Sequence, residues 1–311
     1  MAGLLIAPAL AHVPGNEFAT SFKTLQARDT LLQNIGWRLQ RGNAPFCDKT
    51  QFSLGLLIDD ALSYPDAAAR RSIDGLQGDF SVQAVAMGSP AHLAGIEPGM
   101  ELTAINGAPL SDRPFDADRP WARATYVHDR LTPNVEKAAL RAITLVMTDG
   151  PTTMQPVKTC RSRLEVATGG KDAVADGTRI VLNRDFAGFS YPEDEFAAIV
   201  AHELAHNFLG HRGYLDARGR TRSDIRATER EADRLMPWLL ANGGYPPEAA
   251  SRFMRRWGPD HSGGLRLGKK HDGWRKRLAL IEAELPYVAA SIAQHGHADW
   301  KRNFRSQFTR N

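Results

Sequence analysis

PEDEFAAIVAHELAHNFLGH, residues 192 to 211, begins with Glu193, Asp194 and Glu195 and closes on Gly210, the pattern of a helix whose dipole is complemented at its start. Inside it His202 and His206 stand four apart. An α-helix puts both imidazoles on one face, where they can aim two nitrogens at a point about 2.0–2.1 Å away. Glu203, about 100° round, lies beside that point without occupying it, where a general base acting on water at a metal must be. A catalytic zinc also needs a third protein ligand and an open position. His211 lies about 180° round from His202, and Gly210 comes too late to turn the chain back. It is therefore expected outside the ligand set, ending the helix or bonding a carbonyl.

The better third ligand is Glu229 in EREAD, residues 229 to 233, on the next helical stretch, RSDIRATEREADRLMPWLLAN. A carboxylate delivered from a second helix completes a His-His-Glu set and leaves the fourth position free. Asp233, one turn on, could accept the free N–H of a ligating histidine and fix its tautomer, while Glu231 is expected to point elsewhere. Spacing alone leaves open a plainer reading of EREAD, a charged face laced to Arg226, Arg230 and Arg234.

Helical patterns continue on both sides. Phe18, Phe22, Leu25, Leu32, Ile35 and Leu39 recur at helical spacing over 16–40, PPEAASRFMRRW follows the Gly243-Gly244 stop, and RKRLALIEAEL runs into Pro286. Between Cys47 and Cys160 the chain instead reads as short strands: QFSLGLLI, FSVQAVA, ELTAING, ITLVM and, across Asp149-Gly150, TTMQPVK. SRLEV and TRIVLN follow before the histidine helix.

Two resemblances give these patterns a family context. GSPAHLAGIEPGMELTAINGAPL, residues 88 to 110, resembles the core of a bacterial PDZ domain, with Met100 where that family often has Asp. The resemblance implies a peptide-binding loop at SLGL, with Leu54, Gly55 and Leu56 presenting backbone N–H groups to a carboxylate, and a groove-lining helix at LTPNVEKAALRAI. HELAH after EFAAIVA, then EREAD and GYPPEAASRFMRRW, is similar to the HtpX-like and prenyl-protease-like zinc metallopeptidases, which are gluzincins, over about residues 176 to 285. This implies one Zn2+ per chain on His202, His206 and Glu229, with Glu203 activating water. The family's late His-Pro-Ser-x-x-x-Arg segment stands here as HDGWRKR, so His271 and Arg277 are candidate transition-state or gating groups.

The expected fold class is α+β. A mainly helical zincin-type metallopeptidase domain with a small sheet is joined to an inserted PDZ-like β domain. The expected division is an export-signal remnant at 1–15, an N-terminal peptidase helix at 16–49, the PDZ-like module at 50–158 and the peptidase core at 159–311. Cys47 and Cys160 flank the insert, and in an exported chain a disulfide between them would pin its entry and exit. MAGLLIAPALAHVPGNEF resembles the back half of a secretory signal, which points to a periplasmic or otherwise exported protein.

The 311 residues carry 39 Lys+Arg against 35 Asp+Glu, an excess too mild to imply a nucleic-acid partner. The excess gathers in GKKHDGWRKR and the C-terminal tail, which could make peripheral contact with anionic lipid. No stretch offers the roughly 18 apolar residues of a membrane span. GGLRLGKK has the outline of a phosphate loop without its Ser/Thr or preceding strand. Two functions follow as expectations. One is an endopeptidase acting on unfolded or misassembled envelope proteins, with the PDZ module binding substrate C-termini or strands or other envelope partners. The other is a PDZ adaptor or chaperone with a closed, non-catalytic zinc site.

Overall fold

The computed structural model describes residues 14–133, 140–167, 172–261 and 272–306. The elements run α1 (Pro14–Asn43), β1 (Thr50–Ser53), β2 (Leu56–Asp60), α2 (Ala67–Asp74), β3 (Phe80–Val85), α3 (Pro90–Leu93), β4 (Leu102–Ile105), β5 (Ala108–Pro109) and α4 (Ala122–Leu131). Next come β6 (Ile143–Met147), β7 (Gly150–Met154), β8 (Val157–Cys160), β9 (Arg163–Ala167), β10 (Ala173–Ala175) and β11 (Arg179–Asn183). The helices α5 (Glu193–Phe208), α6 (His211–Ala217), α7 (Arg222–Asn242), α8 (Ala249–His261), α9 (Trp274–His295) and α10 (Trp300–Asn303) complete the chain. The class is α+β. Residues 1–13, including most of the signal-like segment, and His271 lie outside the described residues.

Apolar side chains gather into two buried cores. One joins α1, β9, β11, α5, α7, α8 and α9 through Leu32, Ile35, Leu39, Leu164, Ile180, Phe196, Trp238 and Ile281. The other joins β2, β3, β4, β6, β7 and α4 through Leu54, Ile58, Val82, Ile105, Val127 and Leu145. Between them β1 and β8 form a two-stranded antiparallel neck, with Thr50 opposite Cys160. Cys47 and Cys160 pair as a disulfide there, their Cα atoms 5.6 Å apart.

Turn chemistry sets the strand boundaries. Asn106 and Gly107, at φ 52° and 76°, make the two-residue turn joining β4 to β5. QFSLGLLI forms two strands, because Gly55 at φ 75° turns the chain between β1 and β2. An added Cβ at Gly55 would stand 2.3 Å from Ser89 Cβ, so the turn requires glycine.

Of the stretch 131–143 read as a groove-lining helix, residues 134–139 lie outside the described residues, and the helix packed against β2 is α4. It ends at Leu131 just before Thr132-Pro133, since the residue preceding a proline avoids helical backbone. It is fixed by buried Arg123, whose Nη1 and Nη2 donate to Asp60 at 3.2 Å and Asp79 at 2.9 Å. Helix α9 passes through Pro286 to His295, because Ile281 and Val288 either side of the proline are fully buried in the first core.

Helix α1 reaches both cores. Its Asp29, 2% exposed, accepts from Gln83 Nε2 on β3 at 2.9 Å and from the Val166 N–H on β9 at 2.8 Å. Burial pushes its carboxyl up to about 7 against these two donors, and the nearby charges of Asp59 and Glu165 add to the rise. Among the described residues no helix is long and apolar enough to cross a membrane.

Candidate metal centre

Helix α5 is buried nearly all round, and its contacts explain its composition. Ala197, Ala198, Ala201 and Ala205 are fully buried, and side chains this small let α7 and α8 approach the helix closely. Arg256 of α8 pairs with the buried Glu195 in the first turn of α5, one of the carboxylates that complement its dipole. The face left over carries His202, Glu203 and His206 and lines a cleft of about 680 Å³.

Three donors converge there. His202 Nε2 and His206 Nε2 lie 3.2 Å apart, and the two oxygens of Glu229 lie 3.4 Å from His202 Nε2 and 3.6 Å from His206 Nε2. Tetrahedral bonds of about 2.0–2.1 Å put neighbouring ligand atoms about 3.3–3.4 Å apart. The separations lie near that edge, although the two to Glu229 involve different carboxylate oxygens, and the donor set of two imidazoles and a carboxylate suits a metal such as zinc. Among the described residues this is the one cluster of three with metal-ligating spacing.

Each histidine is backed from behind. Asp233, one turn from Glu229 on α7, sits 3.2 Å from His202 Nδ1, although the approach lies off the ring N–H direction. Arg277 of α9 grips Asp233 through Nε at 2.6 Å and Nη2 at 2.7 Å. Burial raises the Asp233 carboxyl, and Arg277 overcomes this to hold it below the usual range. Burial likewise lowers His202, but Asp233 and Glu229 reverse the effect and carry it to about 10, a cation-attracting field in the absence of a metal. His206, with burial dominant, is pulled down to about 3 and stays neutral.

Glu203 stands beside the three donors and is not one of them. Burial lifts its carboxyl to about 7, against the charge of His202 and a backbone hydrogen bond from Ala175. Ala175 belongs to β10, the outer strand of the β10-β11-β9 sheet, which forms one wall of the cleft. This three-residue strand carries no pattern that sequence reading could have detected.

Arg277 reaches the cleft wall with its guanidinium committed to Asp233, not presented as a free cation. His211 and Glu231 stand outside the three donors, and they meet each other in a contact that the sequence reading did not foresee. Gly210, at φ 71°, breaks the helix and starts α6 at His211, whose Nδ1 comes 2.9 Å from His206 Nδ1. His211 Nε2 lies 3.0 Å from Glu231 Oε2. Glu231 thus points to His211, and His211 to a second histidine. The only signal for this in the sequence was the presence of two further ligating residue types in the same two motifs.

The SLGL stretch is held by local contacts. Leu54 and Leu56 are buried, the Gly55 N–H donates to Ser53 Oγ, and the Gly55 carbonyl accepts from Ala86. His128 on α4 places Nε2 3.3 Å from both the N–H and the carbonyl of Ile58 on β2. The gap beside them is about 50 Å³, room for a water or two.

Comparison with protein-family models, with curated proteins and with solved structures finds no match for this chain.

Proposed function

We propose that this chain is a zinc-dependent endopeptidase acting on unfolded or misassembled proteins of an exported compartment. The observation that carries the reading is the convergence of ligand atoms of His202, His206 and Glu229 within 4.8 Å of one another beside Glu203, in an open cleft. Zinc, when bound, supplies a Lewis acid that polarises a carbonyl and makes water acidic. The protein supplies the rest. His202, held by Asp233 and Arg277, would hold the metal together with His206 and Glu229. Glu203, its carboxyl lifted by burial toward neutrality, accepts the proton of the attacking water and returns it to the leaving amine. A cleft of about 680 Å³ takes a stretch of extended chain and not a folded surface.

The PDZ-like module would hold substrate termini or strands, and the disulfide suits the oxidising periplasm. The adaptor reading, with a zinc site used only structurally, is opposed by the open cleft. One experiment separates them. A casein-like unfolded protein is incubated with the wild type and with Glu203→Gln, each loaded with one zinc. The wild type should cleave, and the variant should keep its zinc and lose about 10²–10⁴-fold in rate. No cleavage by either would leave the adaptor.

A further inference from the structure

We infer that His211 and Glu231 are positioning residues that set the tautomer of His206 and so prepare it to bind the metal. The inference rests on the metal-site reading above and adds two residues to it. A histidine that ligates through Nε2 must carry its proton on Nδ1, and that N–H needs an acceptor. The atom facing His206 Nδ1 is His211 Nδ1, at 2.9 Å. Two ring nitrogens this close can share only one proton, so one of them must be bare.

Glu231 decides which. Its Oε2 lies 3.0 Å from His211 Nε2, and both side chains are 1% exposed. Were the His211 proton on Nδ1, its bare Nε2 would face the carboxylate, acceptor against acceptor, with no solvent to separate them. The proton is therefore on Nε2 and donates to Glu231, and His211 Nδ1 becomes the acceptor. His206 must then carry its proton on Nδ1 and leave Nε2 bare toward His202 and Glu229. Reversing the order would protonate His206 on Nε2 and abolish a ligand. A histidine that merely filled space would need neither partner nor this order.

The backbone is arranged for the same contact. Gly210 in the left-handed region ends α5 and turns His211 back beneath His206, while Glu231 comes from α7 two residues after the ligand Glu229. The two ligating histidines are thus oriented differently, one by a carboxylate held by arginine, the other through a second imidazole.

Two amide substitutions separate positioning from packing. His211→Gln can place a donor where Nε2 was, keeping Glu231 satisfied, but offers His206 no acceptor. His211→Asn can place its oxygen near Nδ1, and is combined with Glu231→Gln so that no buried charge is stranded. Zinc affinity is measured by chelator competition, and the visible bands of the Co2+ form report ligand geometry. His211→Gln should weaken zinc binding at least about tenfold and alter the Co2+ bands, while the Asn-Gln pair stays close to the wild type. Equal behaviour of the two variants, or wild-type affinity in His211→Gln, overturns the inference. Should His211→Gln fail to fold, Glu231→Leu removes the tautomer-setting acceptor and must weaken zinc binding too, and unchanged affinity overturns it. A wild type that takes up no zinc overturns the metal site and this inference together, whereas wild-type uptake with unaffected variants overturns the inference alone.

Discussion

Replacing Asp29 with Asn should stabilise this protein, and by more in alkali than in acid. Asp29 joins α1 to β3 and β9, and its buried carboxyl is lifted from 3.8 to about 7. Between those values the folded state holds a proton that the unfolded state has released. Stability therefore falls as pH rises through this window and is flat above it. At about 1.4 kcal/mol per unit, the roughly three-unit rise sets a ceiling of about 4 kcal/mol on the cost of ionising Asp29 in place. Asn carries no charge and the site can accommodate it. Its oxygen can accept from the Val166 N–H, and its amide can donate to Gln83 Oε1, a buried atom without a partner, once the Gln83 amide rotates. His128 works in the opposite sense, because burial lowers it to about 3 and stability is lost as pH falls below its ordinary 6.5. Comparing variant with wild type at each pH cancels that contribution. Urea unfolding with the disulfide intact, at pH 5 and pH 8, is the assay. The gain from Asp29→Asn should be greater at pH 8 by about 3 kcal/mol or somewhat less. A variant less stable than wild type at pH 8, or a gain that does not change with pH, would refute the reasoning.

The double substitution Cys47→Ser with Cys160→Ser releases a crosslink spanning 113 residues and should lower unfolding stability by about 4 kcal/mol. Thermal melts that coincide for the two proteins would count against it. Gly55→Ala forces a side chain onto left-handed backbone and into Ser89, for an expected loss of about 1–3 kcal/mol, with zinc affinity unchanged. Equilibrium unfolding and chelator competition on the same sample check both halves, and a coupled loss of zinc would show that the second core reaches the metal.

Elements that announce their own ends were legible in the sequence. Helix α7 runs from Arg222 to Asn242, the stretch read from the pattern, because Thr221 caps its start and Gly243-Gly244 stop it. The pairing of His202 with His206 on one face was legible because helical spacing is a local fact, whereas spacing alone left Glu229 between a ligand and a charged face, and the family resemblance singled it out. The α4 helix was not read from the sequence, since the charges that fix it, Arg123 with Asp60 and Asp79, pair across more than forty residues and leave no period behind. Strand β10 is three small residues whose extended form comes from pairing with β11. The contact of His211 with Glu231 failed for a related reason. Its parts were visible, but a left-handed glycine and the packing of α6 on α7 decide where they meet.

The neck formed by β1, β8 and the disulfide determines how force would travel through the molecule. The chain enters and leaves the second core across a 5.6 Å gap closed by a covalent bond. A pull exerted on that core would load β1 and β8 together, and the disulfide at their base would keep the points where the chain enters and leaves from being drawn apart. The lever between the two cores is α1, and Asp29 is where it bears on both.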